Sequence, residues 1–326
     1  MGMWRGAGNP YLLLLTTMVL WGASFSSSKV VVENVPHSVG ALLRFGGGAI
    51  ALLVAVWLFD RRETPVPARN AWLAGAAGVL GVFAYNGFFF WGLSLAPSLD
   101  AGILIPVMSP VLTSTFLLVS GKEKATWARV LGLGLGLTGA AIFFLGAGGS
   151  TEGGSDRLLG DALFVLSAVC WAAYTLVGPR VMAGIAPLRA TTYATCAGAV
   201  MLGVLAVPDM GKVEWTELPS NVWLNAVYLA VGAAAVANLL YYRGVSAVGP
   251  AKASLMMFNV PVVNTLCATL ILGESFGWLQ GTGACVLLAG AAIAMSQGKL
   301  PRRSSARGKH GSTPDQSAAR ESDLAK

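Results

Sequence analysis

The chain has 326 residues, of which 55% are hydrophobic and 11% are Asp, Glu, Lys or Arg, and its formal net charge is +7. About a quarter of a typical globular chain is charged, so this composition excludes a soluble fold and makes lipid the solvent. The positive charge does not outline a nucleic-acid groove: seven of the 22 basic residues lie at or beyond Lys299, and most of the others sit in short gaps between apolar runs, the distribution that sets membrane topology.

About 20 mostly apolar residues are needed to cross about 30 Å of hydrocarbon as a helix. In chain order, such stretches fall at residues 11–32, 39–59, 71–99, 101–121, 130–151, 162–179, 190–208, 218–242, 253–273 and 275–298. The first contains Lys29 and the second Arg44; the other eight carry no charge. The fold class predicted is therefore all-α, a polytopic membrane protein with ten transmembrane helices. The first run follows Arg5 as a signal peptide would, but it stays apolar to Val32, so it is expected to remain as a span. Cys170, Cys196, Cys267 and Cys285 each fall in a separate run without CxxC spacing and read as small packing residues.

Placing the N-terminus inside puts Arg5, Arg61, Arg62, Arg69, Lys122, Lys124, Arg129, Arg180, Arg189, Arg243, Lys252 and the seven tail residues on the cytoplasmic side, 18 of 22. Only Arg157 and Lys212 fall in outside gaps. This bias predicts a multi-pass protein of the cell inner (plasma) membrane with both termini cytoplasmic. No acidic residue is expected deeper than about the first turn of a span. The tail, 299–326, lacks an apolar period and is expected to be a disordered topology anchor.

Pro110, Glu123 and Trp127 recur as Pro261, Glu274 and Trp278, each 151 positions later. Asn86 and Gly92 correspond to Asn238 and Gly244, and Trp21 to Trp171, at nearly the same offset. The expected organisation is a first five-helix repeat (1–146), a periplasmic connector (147–158), a second five-helix repeat (159–298) and the tail. Five is odd, so the second repeat enters the membrane from the opposite side, giving two inverted repeats.

The Leu20–Phe25 segment LWGASF, the LLRFGGGA run around Arg44, the paired Pro110/Glu123 and Pro261/Glu274, and the glycine-rich helices after Trp127 and Trp278 resemble the drug/metabolite transporter superfamily, specifically its EamA-type ten-helix permeases. The resemblance covers about residues 11 to 297. It implies a secondary carrier, often an exporter of amino acids or related metabolites, with a central cavity lined by the first, third, fourth, sixth, eighth and ninth helices.

Asn86 and Asn238 are candidate substrate contacts, because an amide within an apolar run needs a partner and the repeat sets the two on matching helices; interhelical bonding is the competing role. Trp21, Trp171, Tyr85, Tyr174 and Tyr241 offer aromatic faces with polar edges. Asn259 and Asn264 flank Pro261, where a kinked helix leaves backbone carbonyls free. Lys29 and Arg44 either snorkel outward to Glu33, Asp100 or Asp161, or, for Arg44, bind a substrate carboxylate. Glu123 and Glu274 are expected to set turn geometry at helix starts.

No cofactor, metal site or catalytic group is expected, since His37 and His310 both lie outside the spans and no Ser/His or paired core aspartate pattern occurs. Expected partners are a small-molecule solute and the lipid bilayer, not nucleic acid, and a homodimer is left open. The leading function is alternating-access transport of a small neutral or zwitterionic metabolite, with lipid scrambling or a scaffold role as the alternative.

Overall fold

The structure is a computed structural model that describes residues 9–60, 66–121, 126–148, 154–181, 185–248, 256–257, 259–275 and 277–295. Among the described residues there are ten apolar helices. They are α1 (Pro10–Val32), α2 (His37–Phe59), α3 (Ala68–Leu95), α4 (Ser98–Val119), α5 (Trp127–Gly148), α6 (Gly154–Val181), α7 (Pro187–Met210), α8 (Ser220–Val227, running on through Tyr228–Val236 and Ala237–Val248), α9 (Asn259–Ile271) and α10 (Trp278–Met295). Eight are long and apolar enough to cross a membrane, and α9 and α10 are shorter apolar helices.

Proline writes most of the starts. Asn9 caps α1 by accepting the Tyr11 N–H (3.1 Å) ahead of Pro10 at the first helical position, where the missing N–H costs nothing. Pro36, Pro67, Pro97 and Pro219 stand just before α2, α3, α4 and α8. Pro97 also corrects the expected third span, which ends at Leu95: Ala96 is extended (φ −134°, ψ 161°), as the residue before proline prefers. The turns after α4 and α9 each need a left-handed residue and have Gly121 (φ 66°) and Gly273 (φ 67°) there, where a side chain would be strained.

α6 starts at Gly154, eight residues before the expected span, and takes in Arg157 and Asp161. The expectation that every acid stays within the first turn of a span is thereby corrected: Asp161 lies about two turns inside α6. A charged turn is tolerated because Arg157 meets Asp100 at the start of α4.

Nearly all large packing surfaces join the first five helices to the last five. α1 packs on α8 and α9, and α6 packs on α3 and α4; α2 packs on α8, and α7 on α3. The remaining pairs, α2 with α7, α4 with α9 and α5 with α10, join helices of equal rank in the two halves. This exchange is what a two-fold relation between two five-helix units produces. The most extensive seam is α5–α10, where Gly136, Gly139, Gly283 and Gly290 bring backbone onto backbone; a Cβ at any of the last three would collide with main-chain atoms. Small residues permit this approach in lipid, where dispersion and close packing drive helix association.

The outward surface is apolar, with Ile50, Trp72, Val200, Val204 and Leu270 exposed. Trp127 and Trp278, at the first positions of α5 and α10, are 80% and 82% exposed and suit the headgroup level that tryptophan favours. Glu123, the connector residues 149–153 and the tail lie outside the described residues.

Candidate substrate site

Two helices depart from regular α-geometry at matching places. Val79–Ala84 in α3 and Tyr228–Val236 in α8 are π-helical, and Asn86 and Asn238 follow directly after them. Wider turns loosen the backbone hydrogen-bond ladder, and such stretches cluster at functional sites. Asn86 Nδ2 donates to the Val82 carbonyl and Asn238 Nδ2 to the Ala234 carbonyl, each at 2.7 Å. Both amides therefore brace their own helix at the end of its π-stretch. Asn86 is fully buried, and its Oδ1 accepts from no described group.

Each candidate tryptophan reaches the other half. Trp21 of α1 donates its indole N–H to the Ala233 carbonyl inside the α8 π-stretch (3.2 Å) and lies 5.0 Å from the Tyr241 ring. Tyr228 returns the tie by donating its hydroxyl to the Leu20 carbonyl (2.7 Å). Trp171 of α6 lies 5.4 Å from Tyr85 of α3 and 5.7 Å from Tyr174, and the Tyr174 ring rests on Gly81, where a Cβ would collide with it. Tyr85 stacks on Phe89 (6.0 Å, 6° between planes), and Phe89 also meets Phe25, Phe90 and Phe164. Trp21, Tyr85 and Tyr241 are partly buried and pack against one shared core.

Arg44, on α2, is only 8% exposed. Its guanidinium carbon sits 5.2 Å from the Phe45 centroid and 5.6 Å from Phe89, and its NH1 donates to the Ser28 hydroxyl at 3.3 Å. Its Nε has no partner, and no described carboxylate pairs with it. Of the acids expected to neutralise it, Glu33 lies 3.9 Å from Lys29, and Asp100 receives a two-bond fork from Arg157 (2.8 and 2.9 Å). Lys29 further donates to the Leu93 and Ala96 carbonyls (2.8 and 3.2 Å).

The proline pair behaves differently. Asn264 is fully buried and donates to the Ser98 and Leu99 carbonyls (3.2 and 3.4 Å), tying α9 to α4. Asn259 donates to the Met256 carbonyl (2.8 Å), a local bond at the start of α9. Glu274 caps α4, accepting the N–H groups of Ser98 and Leu99 and the Ser98 hydroxyl (2.8 to 3.0 Å); a carboxylate is favoured at a helix start. Phe89, Ser28 and Tyr228 enter the constellation unannounced by the sequence pattern. Phe89 is one of three consecutive phenylalanines, 88–90, and only helical phase separates it from its neighbours: it shares a face with Tyr85 and Asn86.

Ten apolar helices exchanged between two halves, with polar and aromatic groups facing each other across the join, define a multi-pass membrane transporter. The chain belongs to the EamA-like transporter family, whose model matches residues 9–145 and again residues 158–296. It is 28% identical over 300 residues to the uncharacterized transporter YyaM of Bacillus subtilis (strain 168), covering 90% of this chain and 96% of that one. It is 27% identical to a probable terminal-alkyne amino-acid exporter of Streptantibioticus cattleyicolor (92% and 96% covered) and 24% identical to the aromatic amino acid exporter YddG of Ancylobacter novellus (86% and 94% covered). A solved crystal structure shares the fold with a TM-score of 0.62 at 23% identity, over 92% of this chain and 99% of its own.

Proposed function

We propose that this transporter is a secondary carrier that exports a small neutral or zwitterionic metabolite, foremost an amino acid, across the cell inner membrane by alternating access. The observation that carries the reading is the pair of cross-half aromatic contacts, Trp21–Tyr241 and Trp171–Tyr85, beside π-stretches braced by Asn86 and Asn238. A solute held there touches both repeats, so rocking of the repeats alters its contacts with both and exposes it to each side in turn. Two relatives named as amino-acid exporters favour that substrate class and that direction. The basic residues support cytoplasmic termini, which sets the α3–α4 turn, Arg157 and Glu274 on the outer side.

The test is uptake and release of a labelled metabolite panel, amino acids foremost, by proteoliposomes carrying the wild type or the Trp21→Ala/Trp171→Ala double variant, with and without a proton gradient. Transport of one solute by the wild type and its loss in a folded, inserted variant supports the reading. Movement of labelled lipid with no solute moved replaces it with lipid handling.

A further inference from the structure

Arg44 is a buried cation with no anion beside it among the described residues. Arg157 is spent on Asp100, Lys29 on Glu33 and two backbone carbonyls, and Arg189 on Asp60. Burying an unpaired guanidinium in a membrane protein is costly, and such residues face a partner or a substrate path. Two aromatic rings and one serine hydroxyl offer Arg44 polarisable contact and a single acceptor, well short of the five donors it carries.

Its position in the ring chain gives the absence of an anion a meaning. From Arg44 the chain runs through Phe89 to Tyr85, Trp171 and Tyr174. On the α3 face that carries Tyr85 and Phe89 lies Asn86, whose Oδ1 is buried and accepts from no described group. One planar cation with free donors, one free acceptor and a line of aromatic faces are the complement of one planar anion, one donor and an apolar body. A guanidinium fork fits a carboxylate in two parallel bonds. A phosphate dianion would call for a second cation, and the described cations nearby are already committed.

The geometry points to Arg44 as the group that selects a carboxylate in the transported solute, with Asn86 Oδ1 accepting from its ammonium and the Phe89–Tyr85–Trp171 rings holding an apolar or aromatic side chain. The inference rests on the substrate site proposed above and narrows it to α-amino acids with large apolar side chains.

The test begins on the ligand side, where no variant need fold. The thermal stability of detergent-purified full-length wild type is titrated with L-phenylalanine and L-leucine, and with phenylalaninamide and leucinamide, which keep the side chain and ammonium but lack the carboxylate. The acids are expected to bind at least about tenfold more tightly than the amides, as loss of a charge-assisted fork implies. Arg44→Gln removes that preference and brings acid and amide together, while Arg44→Lys, which keeps charge without the fork, falls between. Equal binding of acid and amide by the wild type, or an unchanged ratio in Arg44→Gln, overturns the inference. If the panel instead reveals a solute without a carboxylate whose transport needs Trp21 and Trp171, the selection by Arg44 falls and the site stands; if neither aromatic variant nor Arg44→Gln alters any transport, both fall.

Discussion

Asp100 and Asp161 are both completely buried near one arginine, yet their partners differ. Asp100 takes both bonds of the Arg157 fork, whose side chain keeps 18% exposure, whereas neither oxygen of Asp161 accepts a hydrogen bond from a described group. Removing one member of a buried pair leaves the other charge stranded, so Asp100→Asn is expected to destabilise the protein by about 3–5 kcal/mol. Asp161→Asn is expected to be neutral or stabilising, since an amide brings donors to a place crowded with acceptors. Thermal unfolding of the two variants in one detergent checks the contrast, and an equal loss in both would contradict it. The sequence exposed both acids but not their inequality. Read as composition, Arg157 and Asp161 look like a solvated gap before a span, and only the crossing of α4 over α6 turns that gap into a buried turn.

At the scale of the helix, the ten apolar helices are legible because lipid imposes one rule on them, an apolar run of sufficient length with few charges. The π-stretches are not: in a run apolar on every side, such as Tyr228–Val236, the sequence has no contrast from which to read a change of period. They can be tested by length. Deleting one alanine between residues 233 and 235 would return α8 to regular winding with Tyr241 kept near its register, and would remove the wide turn whose carbonyls take the Trp21 and Asn238 N–H groups. The expected outcome is an inserted protein of near-normal yield that no longer transports; retention of transport would detach the π-stretch from the site. The glycine turns make a separate prediction. Gly273→Ala forces a side chain into φ 67° and should cost about 1–2 kcal/mol, measured as a lowered Tm, because the left-handed region penalises any Cβ. The repeat identified Trp21, Trp171, Asn86 and Asn238 as members of one arrangement. It left open whether the amides bond substrate or a neighbouring helix; each Nδ2 donates to a carbonyl one turn back in its own helix, a choice fixed by local winding that no spacing encodes.

For the whole molecule, the α5–α10 seam is the longest of the places where the halves meet main chain to main chain, with Gly139, Gly283 and Gly290 all set against backbone, so it tolerates little change. Gly139→Leu or Gly290→Leu is expected to abolish folded protein, judged by size-exclusion in detergent, while Gly134→Leu, with open space where its Cβ would lie, is expected to leave the profile unchanged. The wider pattern of pairing has its own consequence. Because α1 rests on α8 and α9 and α6 on α3 and α4, neither five-helix unit possesses a core by itself. Cut between α5 and α6 and made as two polypeptides, the pieces should be degraded when synthesised singly and rescue one another when synthesised together. The two matches to one family model, at residues 9–145 and 158–296, make each piece the counterpart of the other, so the cut tests whether one unit can serve as the other's missing core.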